Sequence, residues 1–336
     1  METFENDRTM RRNREQLRIS ASRQAFTLVE LLVVCAVIVL LAALTLFAVS
    51  KVAHSAKVAK TRATIQKLEA AIQPIFESYE SKFLNIRSQL ANMDPPLDEA
   101  IQQQIAAHFI RDLMRMEMPQ NWKEVETPPI TITINGKTYT PDESPLRVYY
   151  KDAAAGKSPS RSALLFLIIQ NLNPEALEAF HGSEVADTDG DGLLEFVDAW
   201  GRPIQFLRWA PAFPDSDLQQ NVLALCEPKY VPQRNVEDNR WWLARDDRLK
   251  AAMVKASEQH PFLLDEQTNP TGIGWFLYPL IYSAGPDGKY GIDEGDDSPP
   301  TVGTDGILDP FEYPYGMPNG SSHLDNIHNH QWYRSY

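Results

Sequence analysis

Apolar residues fill positions 31–49 with Thr45 as the one interruption, and Ser50 and Lys51 close the run. At about 1.5 Å rise per residue such a helix spans a bilayer core of roughly 30 Å, so the pattern predicts a single transmembrane helix. A secretory signal peptide has a shorter apolar core ending in small residues at a cleavage site, whereas this run continues into Ala48, Lys51, Ala53 and Ala56 with helical character. Beyond it Ala56, Ala59, Ala63, Leu68, Ala71, Ile72, Ile75, Phe76, Tyr79 and Phe83 recur at spacings of three and four, which marks an amphipathic stripe. The stripe is expected to face the sheet of a following domain, with Lys57, Lys60, Arg62, Lys67 and Lys82 on the opposite side. Pro74 is expected to kink this helix and not to end it. A plain stalk helix of a single-pass protein has the same pattern.

After residues 92–96 the chain takes on the character of a soluble domain of roughly 240 residues, long enough for one substantial core. Residues 97–116 read as a helix with Ile101, Ile105, Phe109 and Leu113 on one side. Alternation over 130–134 and 137–140 around Asn135-Gly136 predicts a hairpin with a type I′ turn. Residues 160–171 contain the run 163–169, too short for a bilayer and better read as a buried helix. Pro174 opens a further short helix, 204–209 and 276–282 read as strands, and 240–257 as a helix. Helices and antiparallel strands mix without regular βαβ alternation, so the expected class is α+β. The organisation predicted is a leader (1–25), a transmembrane and spine helix (26–92) and a globular head (93–336).

Charge narrows the function. The leader carries six arginines and four acids, so it is +2, and with a whole-chain charge of −13 the remainder is −15. By the positive-inside rule the leader stays in the cytoplasm and the head is exported. Nucleic-acid binding needs an extended basic face, and with the remainder so acidic no nucleic-acid partner is expected. Cys35 falls in the membrane helix and Cys226 in the head, and no disulfide between them is expected.

Glu30 stands at the edge of the apolar run, where a carboxylate is costly unless it reaches the headgroups or meets a cation. Both possibilities are open from the spacing alone. A second acidic feature lies in the head. Asp187, Asp189, Asp191, Glu195 and Asp198 take positions one, three, five, nine and twelve of a loop with Gly192 at six and Leu193 at seven, where such loops offer a backbone carbonyl. Oxygen donors without His or Cys favour a hard cation, Ca2+, over zinc. Asp at twelve in place of Glu implies lower affinity. The same residues also suit a solvated acidic turn.

Ala25-Phe26-Thr27-Leu28-Val29-Glu30, behind a basic leader and ahead of the apolar helix, resembles the N-terminal signal of type IV prepilins and of type II secretion pseudopilins. The resemblance implies cleavage by prepilin peptidase between Ala25 and Phe26, N-methylation of Phe26, and pairing of Glu30 with the new amine of a neighbouring subunit. It implies as partners other pilin or pseudopilin subunits, the inner-membrane platform, the assembly ATPase and membrane lipid, with the head periplasmic or in an extracytoplasmic filament. Ala25 departs from the family's usual Gly. The segment 198–204, Asp-Ala-Trp-Gly-Arg-Pro-Ile, resembles the Asp-x-Trp-Gly-x-Pro stretch of major pseudopilins, and 283–297 resembles their calcium loop, which implies Ser283, Asp287, Asp293, Asp296 and Asp297 as further ligands. About eighty residues, with Trp241 and Trp242, stand between the two segments, more than in a standard major pseudopilin.

Enzymatic signatures are missing: there is no nucleophile elbow, phosphate loop, zinc motif or dinucleotide fingerprint. His323, His328 and His330 read as scattered positions in a surface tail. The chain is therefore read as a non-enzymatic filament subunit, the alternative being an anchored calcium-binding protein that does not polymerise.

Overall fold

The structure, a computed structural model, describes residues 27–210, 213, 279–292 and 322–330. Ala25, Phe26, Asp293, Asp296, Asp297, Cys226, Trp241, Trp242 and the helix expected over 240–257 lie outside the described residues. Contacts divide the chain into two units, Met1–Ala53 and His54–Tyr336.

One helix, α1, runs from Leu28 to Ala91 and passes through Pro74. In the first unit residues 28–52 are exposed throughout, and this stretch is long and apolar enough to cross a membrane. The remaining elements belong to the second unit: α2 (Glu99–Glu117), α3 (Trp122–Glu126), β1 (Ile132–Ile134), β2 (Lys137–Tyr139), α4 (Pro145–Ala153), α5 (Ala163–Leu172), a 3-10 helix (Pro174–Ala179), β3 (Val185–Ala186), β4 (Glu195–Phe196), β5 (Gln205–Leu207), β6 (Leu280–Ser283), a second 3-10 helix (Ser322–Asp325) and β7 (Ile327–His328). All pairings among them are antiparallel, in three small sheets ordered β1-β2, β3-β4 and β5-β6-β7. The α+β expectation agrees with this arrangement. In the first hairpin Asn135 and Gly136 both take positive φ, 51° and 76°, the conformation that a type I′ turn demands.

The core is built around α5, whose residues 163–169 are all buried and pack in one cluster with α1, Phe196, Phe206 and Trp209. Each such Leu or Ile removed from water contributes about 1.5–3 kcal/mol before entropy is counted. Two expectations about α1 need correction. Its buried stripe comprises Thr61, Thr64, Ile65, Leu68, Ala71, Ile72, Ile75, Phe76, Tyr79, Phe83 and Leu90, while Ala56, Ala59 and Ala63 are exposed. The threonines replace the alanines because they are bonded into the head: Thr61 Oγ1 accepts from the Ala199 amide at 3.0 Å, and the Thr64 hydroxyl donates to Glu184 at 2.6 Å. Nor do all the lysines face away. Lys67 pairs with Glu184 at 2.8 Å, Lys82 with Glu117 at 2.6 Å, and Lys60 donates to Ser183. The spine's polar partners come from loops and helix ends, not from strands.

Two buried ionic knots tie the head internally. Arg208, beyond β5, grips both oxygens of Glu124 at 2.7 Å and donates to the Met118 carbonyl, and both side chains are almost fully buried. Arg115 bonds Asp112 at 2.6 Å and the carbonyls of Glu124, Thr127 and Pro128. Asp112 receives the Ile130 amide, and His108 Nε2 donates to the Ile130 carbonyl, with burial holding that imidazole below its ordinary pKa. The segment between α2 and β1 is thus pinned by charged groups and not by apolar packing alone.

Candidate functional site

Helix α1 begins at a local cap. Glu30 Oε2 accepts from both the amide and the hydroxyl of Thr27 at 2.9 Å, while Thr27 Oγ1 receives the Glu30 amide at 3.2 Å. This is the reciprocal box in which a Thr at the helix start and a Glu three residues on satisfy each other's orphan donors. The Thr-x-x-Glu spacing of Thr27 and Glu30 is the sequence signal of this box. Among the described residues no cation meets Glu30. Both bonds fall on Oε2, so Oε1 keeps acceptor capacity to spare.

In the acidic loop the structure brings together three of the expected ligands. Carboxylate oxygens of Asp187, Asp189 and Asp191 lie within 4.8 Å of one another. Loop amides wrap them: Gly190 and Gly192 donate to Asp187, Asp191 and the Ser160 amide to Asp189, and Leu193 to Asp191. Asp191 Oδ2 has no hydrogen-bond partner among the described residues although it is buried. Glu195 and Asp198 do not join them. Glu195 is fully buried on β4, with Oε2 accepting the amide and hydroxyl of Thr188 and Oε1 the Ser160 hydroxyl, so it supports the loop from behind. Leu193 is buried and packs in the core cluster.

Asp198 opens a second constellation. Its Oδ1 accepts the amides of Trp200 and Arg202, and its Oδ2 accepts the Ser283 hydroxyl at 2.7 Å. Ser283 Oγ in turn receives the Gly285 amide. Gly285 has φ 63°, and a Cβ there would sit 2.0 Å from the Asp325 carbonyl oxygen, so no other residue fits. Asp287 is exposed and uses its carboxylate on the Lys289 amide, while its own amide donates to Asp325. Ser283, expected among the metal ligands, is therefore spent on structure, as is Asp198.

The histidines expected in a surface tail are buried. His328 lies on β7 edge-on to Phe213, ring centroids 4.7 Å apart, and His330 Nε2 donates to the Pro279 carbonyl. Asn329 fastens the same strand through the Ile281 amide and the Pro279 carbonyl. Scattered polar residues gave no periodic signal for so short a strand.

Compared with known protein families, residues 20–46 match the prokaryotic N-terminal methylation motif. No curated protein and no solved structure matches the chain.

Proposed function

We propose that the chain, whose residues 20–46 match the prokaryotic N-terminal methylation motif, is a structural subunit of a type II secretion pseudopilus or a type IV pilus-like filament. Residues 1–25 are the leader that prepilin peptidase removes, Phe26 becomes the methylated terminus, and Glu30 receives the amine of an adjoining subunit. The apolar helix is a single-pass membrane anchor, and in this reading the head faces the periplasm. Work from the platform and its ATPase draws the helix out of the bilayer, and the protein itself catalyses nothing.

The observation that carries the reading is the exposure of residues 28–52. Among the described residues nothing covers this apolar surface, and lipid or the same helix of another subunit would. Mass spectrometry of the mature protein tests the processing step: methylated Phe26 is expected, and an intact Met1 in cells that hold the peptidase overturns it.

The cap gives the alternative some weight. If Thr27 already satisfies Glu30, a single-pass anchored protein that never polymerises accounts for the same carboxylate. Calcium belongs to the proposal as well, confined to the loop of Asp187, Asp189 and Asp191, where convergent hard oxygens and the orphaned Asp191 Oδ2 suit a divalent cation. Bound there, the ion would cancel the repulsion of the three carboxylates and stiffen the loop.

A further inference from the structure

Trp200 is half-buried in the turn that Asp198 organises, and three side chains gather around its ring. His54 meets it edge-on with centroids 6.3 Å apart, Lys57 Nζ lies 5.9 Å from the ring centroid, and the Arg202 guanidinium 5.6 Å. The indole is held in place, since Asp198 bonds the amides of Trp200 and Arg202 and Arg202 bonds the Gly285 carbonyl at 2.6 Å. His54 and Lys57 are exposed, three residues apart on one side of the helix. Between Glu30 and Glu69 the chain has no acidic residue, while Lys51, Lys57, Lys60, Arg62 and Lys67 fall within that stretch of a chain whose net charge is −13.

In the chain, His54 and Lys57 follow Ser50 by four and seven residues, about 6 and 10 Å of helix. The apolar run has just ended there, at the depth of the headgroups that flank a core of roughly 30 Å. Tryptophan and long cations are the side chains that this layer favours, the indole for its apolar body and polar edge, the cations for anionic lipid. We propose that Trp200, His54, Lys57 and Arg202 form a corner that binds anionic phospholipid headgroups and holds the head domain against the bilayer before assembly. The proposal rests on the membrane-anchor reading. Its rival occupant is the carboxylate triad of a second copy. Lipid is favoured because the corner directly follows the apolar run and because an indole adds nothing to the pairing of bare carboxylates.

The test uses the full chain in phosphatidylcholine vesicles with and without phosphatidylglycerol, the lipids brominated near the headgroup. The chain has 7 Trp, so the contribution of Trp200 is the difference between wild type and Trp200→Phe. Extra quenching in wild type is expected, rising with phosphatidylglycerol, and Lys57→Gln should weaken that lipid dependence about fivefold. Lys57 is exposed, so this variant leaves the core intact should Trp200→Phe disturb folding. Equal quenching in wild type and Trp200→Phe, or quenching indifferent to phosphatidylglycerol, overturns the corner. Protection of Trp200 that follows the protein-to-lipid ratio assigns the surface to a second copy and overturns it too. Flotation separates the two readings: a chain that floats but shows no lipid-dependent quenching loses only the corner, and one that floats with neither vesicle loses the anchor and the proposal together.

Discussion

Asp198 and Ser283 stand 85 residues apart in the chain and share a buried 2.7 Å hydrogen bond. The bond joins the turn of Trp200 to the turn of Gly285. A hydroxyl donating to a buried carboxylate is worth about 1.5–3 kcal/mol when lost. Ser283→Ala is therefore expected to lower the unfolding free energy of the full chain in detergent by that amount, read by urea titration. Ser283→Thr keeps the donor and should cost less; equal losses would mean that the hydroxyl bond carries none of the effect.

Glu124 and Arg208 present a larger stake. Both side chains are almost wholly out of water, 4% and 2% exposed, and each satisfies the other's charge. Truncating one partner strands the other, at about 3–5 kcal/mol. Glu124→Ala should thus destabilise the head more than Ser283→Ala does, while Glu124→Ala with Arg208→Met should recover part of the loss. A double variant no better than the single one would refute the pairing as the cause.

The seam between spine and head predicts an acid dependence. Burial alone pushes the Glu184 carboxyl up, but the His181 amide, the Lys67 ammonium and the Thr64 hydroxyl outweigh it and bring its pKa from 4.5 to about 2. A carboxyl depressed in the folded state binds its proton more readily when unfolded, so its contribution is complete above about pH 5 and is lost as pH falls from 4.5 toward 2. Because Lys67 is partly exposed and water screens the pair, that contribution is on the order of 1–2 kcal/mol. Glu184→Gln should flatten the stability curve over this window in denaturation series at stepped pH. An unchanged slope would show that the seam does not titrate there.

What could be read from the sequence follows from which signals are periodic. The apolar run at 31–49, the stripe from Leu68 to Phe83, the buried run at 163–169 and the Asn-Gly turn all obey simple repeats, and the structure reproduces them. Long-range polar pairing has no period. Nothing marks Glu124 as the partner of Arg208, or Thr61 as more deeply placed than Ala63, because burial there is set by a hydrogen bond to a distant loop. The twelve-residue acidic pattern shows the same limit. Its first half folds as one carboxylate cluster, whereas Glu195 and Asp198 lie on or beside β4 and are drawn into the core by Thr188 and Ser283.

The acidic loop can be tested by metal addition. If Asp187, Asp189 and Asp191 hold calcium at a dissociation constant near 0.1 mM, 1 mM of the ion should stabilise the folded chain by about 1.4 kcal/mol. Asp189→Asn should remove most of the gain, whereas Asp287→Asn, outside the cluster, should leave it intact. A melting temperature indifferent to calcium and to chelator would leave the loop as an acidic turn.

Thr27 and Glu30 decide between filament subunit and solitary anchor. If the carboxylate serves only the helix cap, Thr27→Val and Glu30→Ala remove the same box and should have the same modest effect, about 0.5–2 kcal/mol on the first turn. If Glu30 also meets an amine, the two variants part. An ammonium and a carboxylate in a low-dielectric layer attract far more strongly than in water, so Glu30→Ala should abolish polymer while Thr27→Val, which keeps the charge, still polymerises. Electron microscopy of sheared fractions reads the outcome. Filaments from Glu30→Ala in normal yield would leave the cap as the carboxylate's whole role.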